Sequence, residues 1–169
     1  MIILRAAHSD IPVLVRLINS AYRGEGSKKG WTTEADLLDG TRTDEANISD
    51  LMNDENSVFL KCLNEQARII GSVYLQKQND KLYLGMLSVS PEMQAAGIGK
   101  RLMAAADDYA IKNNCKSIFM TVISVRNELI AWYERHGYKK TREKKAFPIG
   151  EKFGIQKQPL ELIVLEKNI

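Results

Sequence analysis

The sequence of 169 residues is poor in the residues that cross-link small secreted folds or hold metal ions. Its two cysteines, Cys62 and Cys115, lie far apart and form no CxxC pair. This excludes a disulfide scaffold and a cysteine-rich zinc module, and it favours a reducing compartment. The two histidines, His8 and His136, have no cysteine or carboxylate partner at ligand spacing. We therefore expect no metal site.

Long apolar runs are also missing. No stretch approaches the roughly 18 residues that a membrane-spanning helix needs. Arg5 and His8 interrupt the first apolar residues too early for the core of a signal peptide. The sequence therefore predicts a cytoplasmic protein with no membrane partner.

Charge of one sign is not in large excess either. Lys and Arg number 24 and Asp and Glu number 21, which gives a net charge of +3, and the two signs are interspersed along most of the chain. We therefore expect no nucleic-acid partner. The one biased tract, residues 139–145, fits either a site for a phosphate-bearing ligand or a solvated strand edge. A content of 44% hydrophobic and 27% charged residues predicts one globular domain over residues 1–169.

The spacing of apolar residues predicts a mixed order of strands and helices. Helices are expected after Ser9 or Asp10, after a Thr43 cap, after Gly99 and over residues 128–136, with a short one around 33–38 in a Gly-rich loop. Strands are expected at 2–6, 57–63, 68–77, 82–89, 117–123, 138–145 and 160–166. Short polar turns make the second to fourth strands an antiparallel meander, and Gly85 indicates a bulge or a close backbone approach. This order predicts a mixed α/β fold of the α+β type, with helices on a largely antiparallel sheet.

A strand end, two glycines and a basic helix start follow one another from Leu87 to Arg101. Backbone N–H groups at a helix start are unpaired, and glycines let an anion approach them, so a phosphate or pyrophosphate is the natural ligand. The segment is not a Walker loop, because Lys100 is followed by Arg101, and it is not a dinucleotide fingerprint, because no third glycine follows. On spacing alone, a simple strand-to-helix turn is the alternative.

A second informative segment runs from Asn127 to Tyr138, after a strand of the buried type. Helical geometry places Ile130, Tyr133 and Gly137 near one face, so that Tyr133 can point inward. The commoner fate of such a tyrosine is a core position with a hydrogen-bonded hydroxyl.

Together the two segments resemble the GNAT superfamily of N-acetyltransferases. The coenzyme A signature of that family is Gln or Arg, two residues of any type, Gly, one of any type, then Gly or Ala. It reads here as Gln94-Ala-Ala-Gly97-Ile-Gly99. The later family pattern reads as Asn127, Ala131, Tyr133, Gly137 and Tyr138. The resemblance covers essentially the whole chain and implies a single domain with about seven strands and about four helices.

The resemblance implies acetyl-CoA as co-substrate and assigns residues to its binding. The backbone of Leu87, Ser88 and Val89 would pair with the pantetheine amides. The amides from the signature into the helix would cradle the pyrophosphate; these belong to Gln94, Ala95, Ala96, Gly97, Ile98, Gly99 and Lys100. Lys100 and Arg101 would add charge or be merely solvated, and Asn127 would bind the cofactor from the opposite wall.

The implied chemistry is acetyl transfer to an amine, with Tyr133 as the general acid that protonates the departing thiolate. The sequence departs from the family at the general base, because residues 82–87 contain no acid. Water or one of four acids would serve, although each acid also reads as a solvated or helix-capping charge. These four are Glu34, Asp36, Asp44 and Glu45.

The acceptor is expected opposite the cofactor, near residues of the first long loop and of the last connection. These residues are Tyr22, Trp31, Glu34, Arg42, Phe147 and Phe153. Aromatic rings with a few acids suit a small amine, whereas Arg42 would suit an acceptor with a carboxylate. We expect a small-molecule amine acceptor rather than a protein, and a homodimer is common in the family. A non-catalytic coenzyme-A-binding sensor is the alternative function.

Overall fold

Alternating apolar residues form the strands of a central sheet. The computed structural model describes residues 1–148, 152 and 154–169 of the chain. The seven strands of this sheet are β1 (Ile2–Arg5), β3 (Ser57–Leu63), β4 (Ile69–Gln78), β5 (Lys81–Val89), β6 (Ser117–Ile123), β7 (Lys139–Ala146) and β9 (Glu161–Asn168). A separate two-stranded sheet joins β2 (Leu38–Asp39) to β8 (Ile155–Gln156). The helices are α1 (Ile11–Tyr22), α2 (Glu45–Met52), α3 (Ile98–Lys112) and α4 (Asn127–Arg135). This confirms the predicted fold class.

The strand order in the large sheet is β1-β3-β4-β5-β6-β9-β7. β3, β4 and β5 form the predicted antiparallel meander, and β5 and β6 form the parallel pair of the sheet. The helices cover both faces. Apolar residues of α1 and α2, such as Leu14 and Ile48, form one core with the sheet, and those of α3 and α4, such as Leu102 and Ile130, form the other. In the described part of the chain, no helix is both long and apolar enough to cross a bilayer.

The break in the middle of the sheet positions the functional site. β5 and β6 pair only from Lys81 to Tyr83 on β5, and beyond that point β5 separates from β6. A bulge lies close to Gly85, where the register with β4 shifts and Met86 takes a left-handed φ of 49°. Gly85 itself is closely approached, because a Cβ there would lie 2.9 Å from the hydroxyl oxygen of Tyr83. The predicted close approach at Gly85 is confirmed. The predicted bulge is also confirmed, and it is centred one residue later, at Met86.

Two local predictions in the first connection are wrong. Residues 33–38 form a hydrogen-bonded turn and not a helix, and the helical piece of this loop is a 3-10 helix at Glu25–Lys29. Thr43 does not cap α2; the Asp44 carboxylate accepts the Asn47 N–H at 2.7 Å instead. Thr43 is buried, and its hydroxyl oxygen accepts a hydrogen bond from the Asn47 side chain.

Candidate active site

A cavity of about 870 Å³ opens where β5 leaves β6. It lies between the end of β5, the signature loop and the start of α3 on one side, and α4 on the other. Part of the loop after α1, including Trp31, also lines it. We call it the first cavity.

The start of α3 gives the first cavity an anion-binding wall. Gly97 is the N-cap with a left-handed φ of 76°, and no side chain caps the helix. The Arg101 N–H donates to the Gly97 carbonyl, so the N–H groups of Ile98, Gly99 and Lys100 precede the helical ladder. A Cβ on Gly97 would meet no atom within 4 Å, so the space in front of it is open. The wall therefore fits a pyrophosphate at the positive end of a 15-residue helix.

The opposite wall is aromatic. The Trp132 ring lies 6.2 Å from the Trp31 ring and 4.2 Å from the His136 ring, centroid to centroid. Gly99 lies beneath it, because a Cβ there would be 3.4 Å from the indole. This wall offers a flat, partly apolar surface opposite the N–H groups of α3.

Tyr133 lies deeper between the same walls. Its side chain is 5% exposed and packs edge-on against the rings of Trp132 and Tyr138. Burial raises the pKa of Tyr133 well above its ordinary value. Its hydroxyl makes no hydrogen bond to any described residue, although Tyr133 lines the cavity. It is therefore a protonated hydroxyl, free to donate to a ligand.

A second cavity of about 350 Å³ adjoins the first. It lies between the α1 end, the bulge of β5, β6 and the segment after β7. The two cavities share the side chains of Tyr22, Arg126, Leu129 and Tyr133. The protein thus has two adjoining chambers, and the Tyr133 side chain lines both.

Tyr22 forms the floor at the junction. Its hydroxyl donates to the Leu87 carbonyl at 3.0 Å, and burial raises its pKa to about 12. The Arg42 and Arg126 guanidinium carbons lie 5.6 Å and 5.9 Å from the centre of its ring. Cations at these distances are attracted to the ring, so Tyr22 helps to hold both arginines beside the junction.

A buried carboxylate links two of the arginines. Glu34 accepts the Arg23 Nε–H at 2.9 Å through one oxygen and the Arg126 Nη1–H at 3.1 Å through the other. All three residues are at most 6% exposed. Arg126 also donates to the Thr32 hydroxyl at 2.8 Å. The cluster ties the loop after α1 to the start of α4.

The structure brings most of the predicted cofactor residues to the first cavity. They are Leu87, Val89, Gln94, Ala95, Gly97, Ile98, Gly99 and Lys100. The side chain of Ser88 is buried and donates to the Met86 carbonyl. Ala96, Arg101 and Asn127 are exposed and do not line the cavity. Asn127 begins α4 on its exposed side, and the preceding Arg126 occupies the wall instead.

The side chain of Gln94 has a structural use in addition to the predicted role of its backbone amide. Its side-chain oxygen accepts the Trp31 N–H at 2.8 Å, and its side-chain nitrogen donates to the Val89 carbonyl at 3.3 Å. Gly30 leaves room for this contact, because a Cβ there would lie 2.5 Å from the Gln94 side-chain oxygen. Gln94 therefore joins the loop after α1 to the end of β5.

The predicted acceptor residues are divided between the cavities. Glu34, Arg42 and Phe147 line the second cavity, Tyr22 lines both, and Trp31 lines the first, where its ring is tilted against that of Trp132. The placement of Trp31 on the acceptor side stays a prediction. Phe153 lies outside the described residues.

Three of the four candidate bases lie away from both cavities. Asp36 pairs with Lys28, Asp44 caps α2, and Glu45 is exposed on that helix. Glu34 does line the second cavity, but both of its oxygens are engaged by guanidinium groups. Within the described ranges, no group of three or more His, Cys, Asp or Glu side chains is arranged to hold a metal ion.

The sequence interpretation overlooked Arg23, Arg126 and Trp132. Trp132 stood inside a quoted motif, and its position beside Tyr133 on an amphipathic helix was a usable signal. Isolated arginines read as exposed charges, so nothing in the sequence marked Arg23 and Arg126 as buried.

Removing the charge of Glu34 should destabilise the fold strongly. Glu34→Gln leaves two buried guanidinium groups without their carboxylate, and we expect a loss of about 3–5 kcal/mol in the free energy of unfolding. Asp36→Asn is the matched control, since its ion pair with Lys28 is exposed and should contribute less than about 1 kcal/mol. Urea unfolding measures both, and an equal effect of the two variants would contradict a structural role for the buried cluster.

Comparison with known protein families assigns the chain to one of them. A family model described as "Acetyltransferase (GNAT) family" matches residues 15–138. The chain belongs to the GNAT acetyltransferase family. Members of this family are acyltransferases that use acetyl-CoA, and the chain is accordingly an enzyme of the N-acetyltransferase type.

Solved structures share the fold at low sequence identity. A ribosomal-protein-alanine N-acetyltransferase from Brucella melitensis has a TM-score of 0.72 and 18% identity, covering 100% of both chains. A mutant spermidine N-acetyltransferase from Vibrio cholerae has a TM-score of 0.69 and 14% identity, over 99% of this chain and 95% of that one. A candidate streptothricin acetyltransferase from Bacillus anthracis, in complex with acetyl coenzyme A, has a TM-score of 0.60 and 21% identity, over 72% and 67%. No curated protein matches the sequence significantly.

Proposed function

We propose that this chain transfers the acetyl group of acetyl-CoA to a primary amine of a small molecule, by direct attack of the amine on the thioester. The observation that carries the proposal is the position of Tyr133, whose side chain lines both cavities where they meet. A donor in the first cavity and an acceptor in the second would bring their reacting groups together beside a protonated hydroxyl.

The first cavity suits acetyl-CoA. The N–H groups of Ile98, Gly99 and Lys100 suit the pyrophosphate. The backbone of β5 from Leu87 to Val89 suits the pantetheine amides, which would add to it as a strand does. Bound there, acetyl-CoA supplies an acetyl group activated as a thioester.

Two groups of the chain then act on the transfer. The Tyr133 hydroxyl donates its proton to the departing thiolate, which gains from a donor because its thiol has a pKa near ~8.5. A backbone N–H near Leu87 stabilises the oxyanion that forms on attack. The bulge at Met86 supports this role, because a bulge leaves a residue unpaired in the ladder.

The proton of the attacking amine goes to water in this proposal. Glu34 is the carboxylate among the described residues of the second cavity, and Arg23 and Arg126 hold both of its oxygens. Because both oxygens already accept guanidinium N–H groups, we do not assign Glu34 as the general base. The amine therefore reacts from its neutral form, and the rate should rise with pH toward the pKa of the acceptor.

A small molecule fits the second cavity better than a protein segment does. Its volume of about 350 Å³ is near the lower end of the ~300–1,000 Å³ range of small-molecule pockets. Side chains from α1, β5, β6 and α4 bound it on several sides.

Thiol release from acetyl-CoA tests the proposal. The protein is incubated with acetyl-CoA and a panel of small primary amines, and free thiol is measured against a reaction without acceptor. We expect release that depends on one class of amine and saturates with its concentration. Tight binding of acetyl-CoA with no amine-dependent release would contradict the proposal and would favour a coenzyme-A-binding sensor.

A further inference from the structure

The described lining of the second cavity is rich in basic side chains. Its described lining holds four cationic side chains and one carboxylate. The cations are Arg23, Arg42, Arg126 and Lys152, and the carboxylate is Glu34. An acceptor that is itself a polycation would be repelled by such a lining, because like charges brought together at an interface cost several kcal/mol.

The buried cluster contains one guanidinium group with an unused donor, that of Arg126. The one carboxylate of Glu34 is shared between the guanidinium groups of Arg23 and Arg126. The Arg126 side chain is 6% exposed, and its Nε–H is buried with no hydrogen-bond partner among the described residues. A buried donor of a charged group without a partner is costly. Arg126 lines both cavities, so its positive charge acts on a ligand that lies at their junction.

Arg42 supplies a second cation facing the same space. Its backbone N–H is held by the Asn19 side-chain oxygen at 2.8 Å, which fixes the position of the residue. Its guanidinium lies over the Tyr22 ring, 5.6 Å from the centroid. No described carboxylate lies within ion-pair distance of Arg42. Two guanidinium groups at one ring suit a carboxylate, which accepts paired N–H bonds from arginine.

We propose that the acceptor is an amine that also carries a carboxylate, an amino acid or a close analogue, and that Arg42 and Arg126 bind this carboxylate. This inference rests on the proposed function and names its substrate class. The small volume of the second cavity suits a molecule of this size. The carboxylate at the arginines leaves the amine of the same molecule near Tyr133, on the side of the first cavity.

Matched pairs of acceptors test the charge preference. Each proteinogenic L-amino acid is compared with the amine that its decarboxylation gives, for example phenylalanine with phenethylamine and lysine with cadaverine. We expect the best amino acid to exceed its amine in kcat/KM by about 30-fold or more. A decarboxylated amine that is acetylated as well as or better than its amino acid overturns the inference and leaves the proposed acetyl transfer intact. If no compound of either kind is acetylated, the inference is overturned as well, and the wider amine panel then judges the proposed function.

Variants of Arg42 locate the carboxylate. Arg42→Gln should raise KM for the best amino acid about 30-fold or more, a loss much larger than the one it causes with the paired amine. Arg42→Lys should recover part of the loss. Arg16→Gln is the control, because Arg16 is exposed and lines neither cavity. Equal losses for the amino acid and its amine in Arg42→Gln would overturn the assignment.

A binding measurement separates recognition from turnover. Calorimetry with coenzyme A present measures the affinity for the N-acetyl derivative of the best amino acid, which is the reaction product. Wild type and Arg16→Gln should bind it alike, and Arg42→Gln should bind it about 30-fold or more weakly. Unchanged affinity in a folded Arg42→Gln protein would overturn the role of Arg42.

Discussion

Replacing Tyr133 by phenylalanine should lower kcat about 10²–10⁴-fold, with the KM for acetyl-CoA little changed. The variant keeps the ring, its packing against Trp132 and the shape of both cavities, and it removes only the hydroxyl that makes no hydrogen bond to the described protein. The loss therefore falls on the step in which the thiolate departs. Single-turnover rates measure that step even where product release limits the steady state.

Tyr138→Phe is the matched control for this experiment. Tyr138 packs edge-on against Tyr133, and its hydroxyl is buried without a hydrogen-bond partner among the described residues. It lines neither cavity, so its removal should leave acetyl transfer unchanged. Because burial raises the pKa of Tyr133 well above its ordinary value of 10.0, the wild type should lose no activity through deprotonation of this group below pH 10. Wild-type single-turnover rates in Tyr133→Phe would assign Tyr133 to packing.

Replacing Gly97 by valine should reduce the affinity for coenzyme A at least about 100-fold. The left-handed φ of 76° disfavours a side chain, at a cost of roughly 1–3 kcal/mol. A side chain there would also project into the open space in front of the α3 N–H groups. Both effects act on the wall that suits the pyrophosphate. Calorimetry measures the affinity, and circular dichroism confirms that the variant is folded.

Gly24→Val is the control that separates the effect of backbone strain from the effect of a side chain that obstructs the cofactor site. Gly24 has the same φ of 76°, and a Cβ there would also meet nothing within 4 Å, but Gly24 lines neither cavity. It should carry a similar backbone cost and bind coenzyme A as the wild type does. Equal affinity in folded Gly97→Val and wild-type proteins would contradict the cofactor site.

Local signals explain how much of the fold was predictable. Strand alternation, short polar turns and the glycines near residues 97 and 137 gave the element order, the meander and the helix after the signature. The strand at Ser117–Ile123 was predicted to the residue. The turn at residues 33–38 was not predicted, because its form depends on contacts that are distant in sequence. One of them is the hydrogen bond from Arg126 to the Glu34 carboxylate, 92 residues away.

The same distinction applies to the site. The signature loop is local in sequence, and the structure has a cavity beside its glycines. The direction of a side chain is harder to predict from sequence, because a shift of one residue at the start of α4 changes whether the side chain faces the cavity or the solvent. Asn127 is exposed there, and Arg126 is 5% exposed. The charged side chains of the second cavity come from three segments that meet only in the folded chain, so the sequence left the acceptor open between a plain amine and an amine with a carboxylate.

Mass spectrometry with acetyl-CoA labelled with ¹³C in the acetyl group follows the transferred group itself. The protein is mixed with the labelled donor and the best acceptor of the panel, and the acceptor, the protein and free acetate are analysed after one turnover. We expect the labelled acetyl group on the amine nitrogen of the acceptor, an equal amount of released thiol and an unchanged mass of the protein. Label in free acetate or on the protein, with none on the acceptor, would contradict direct acetyl transfer.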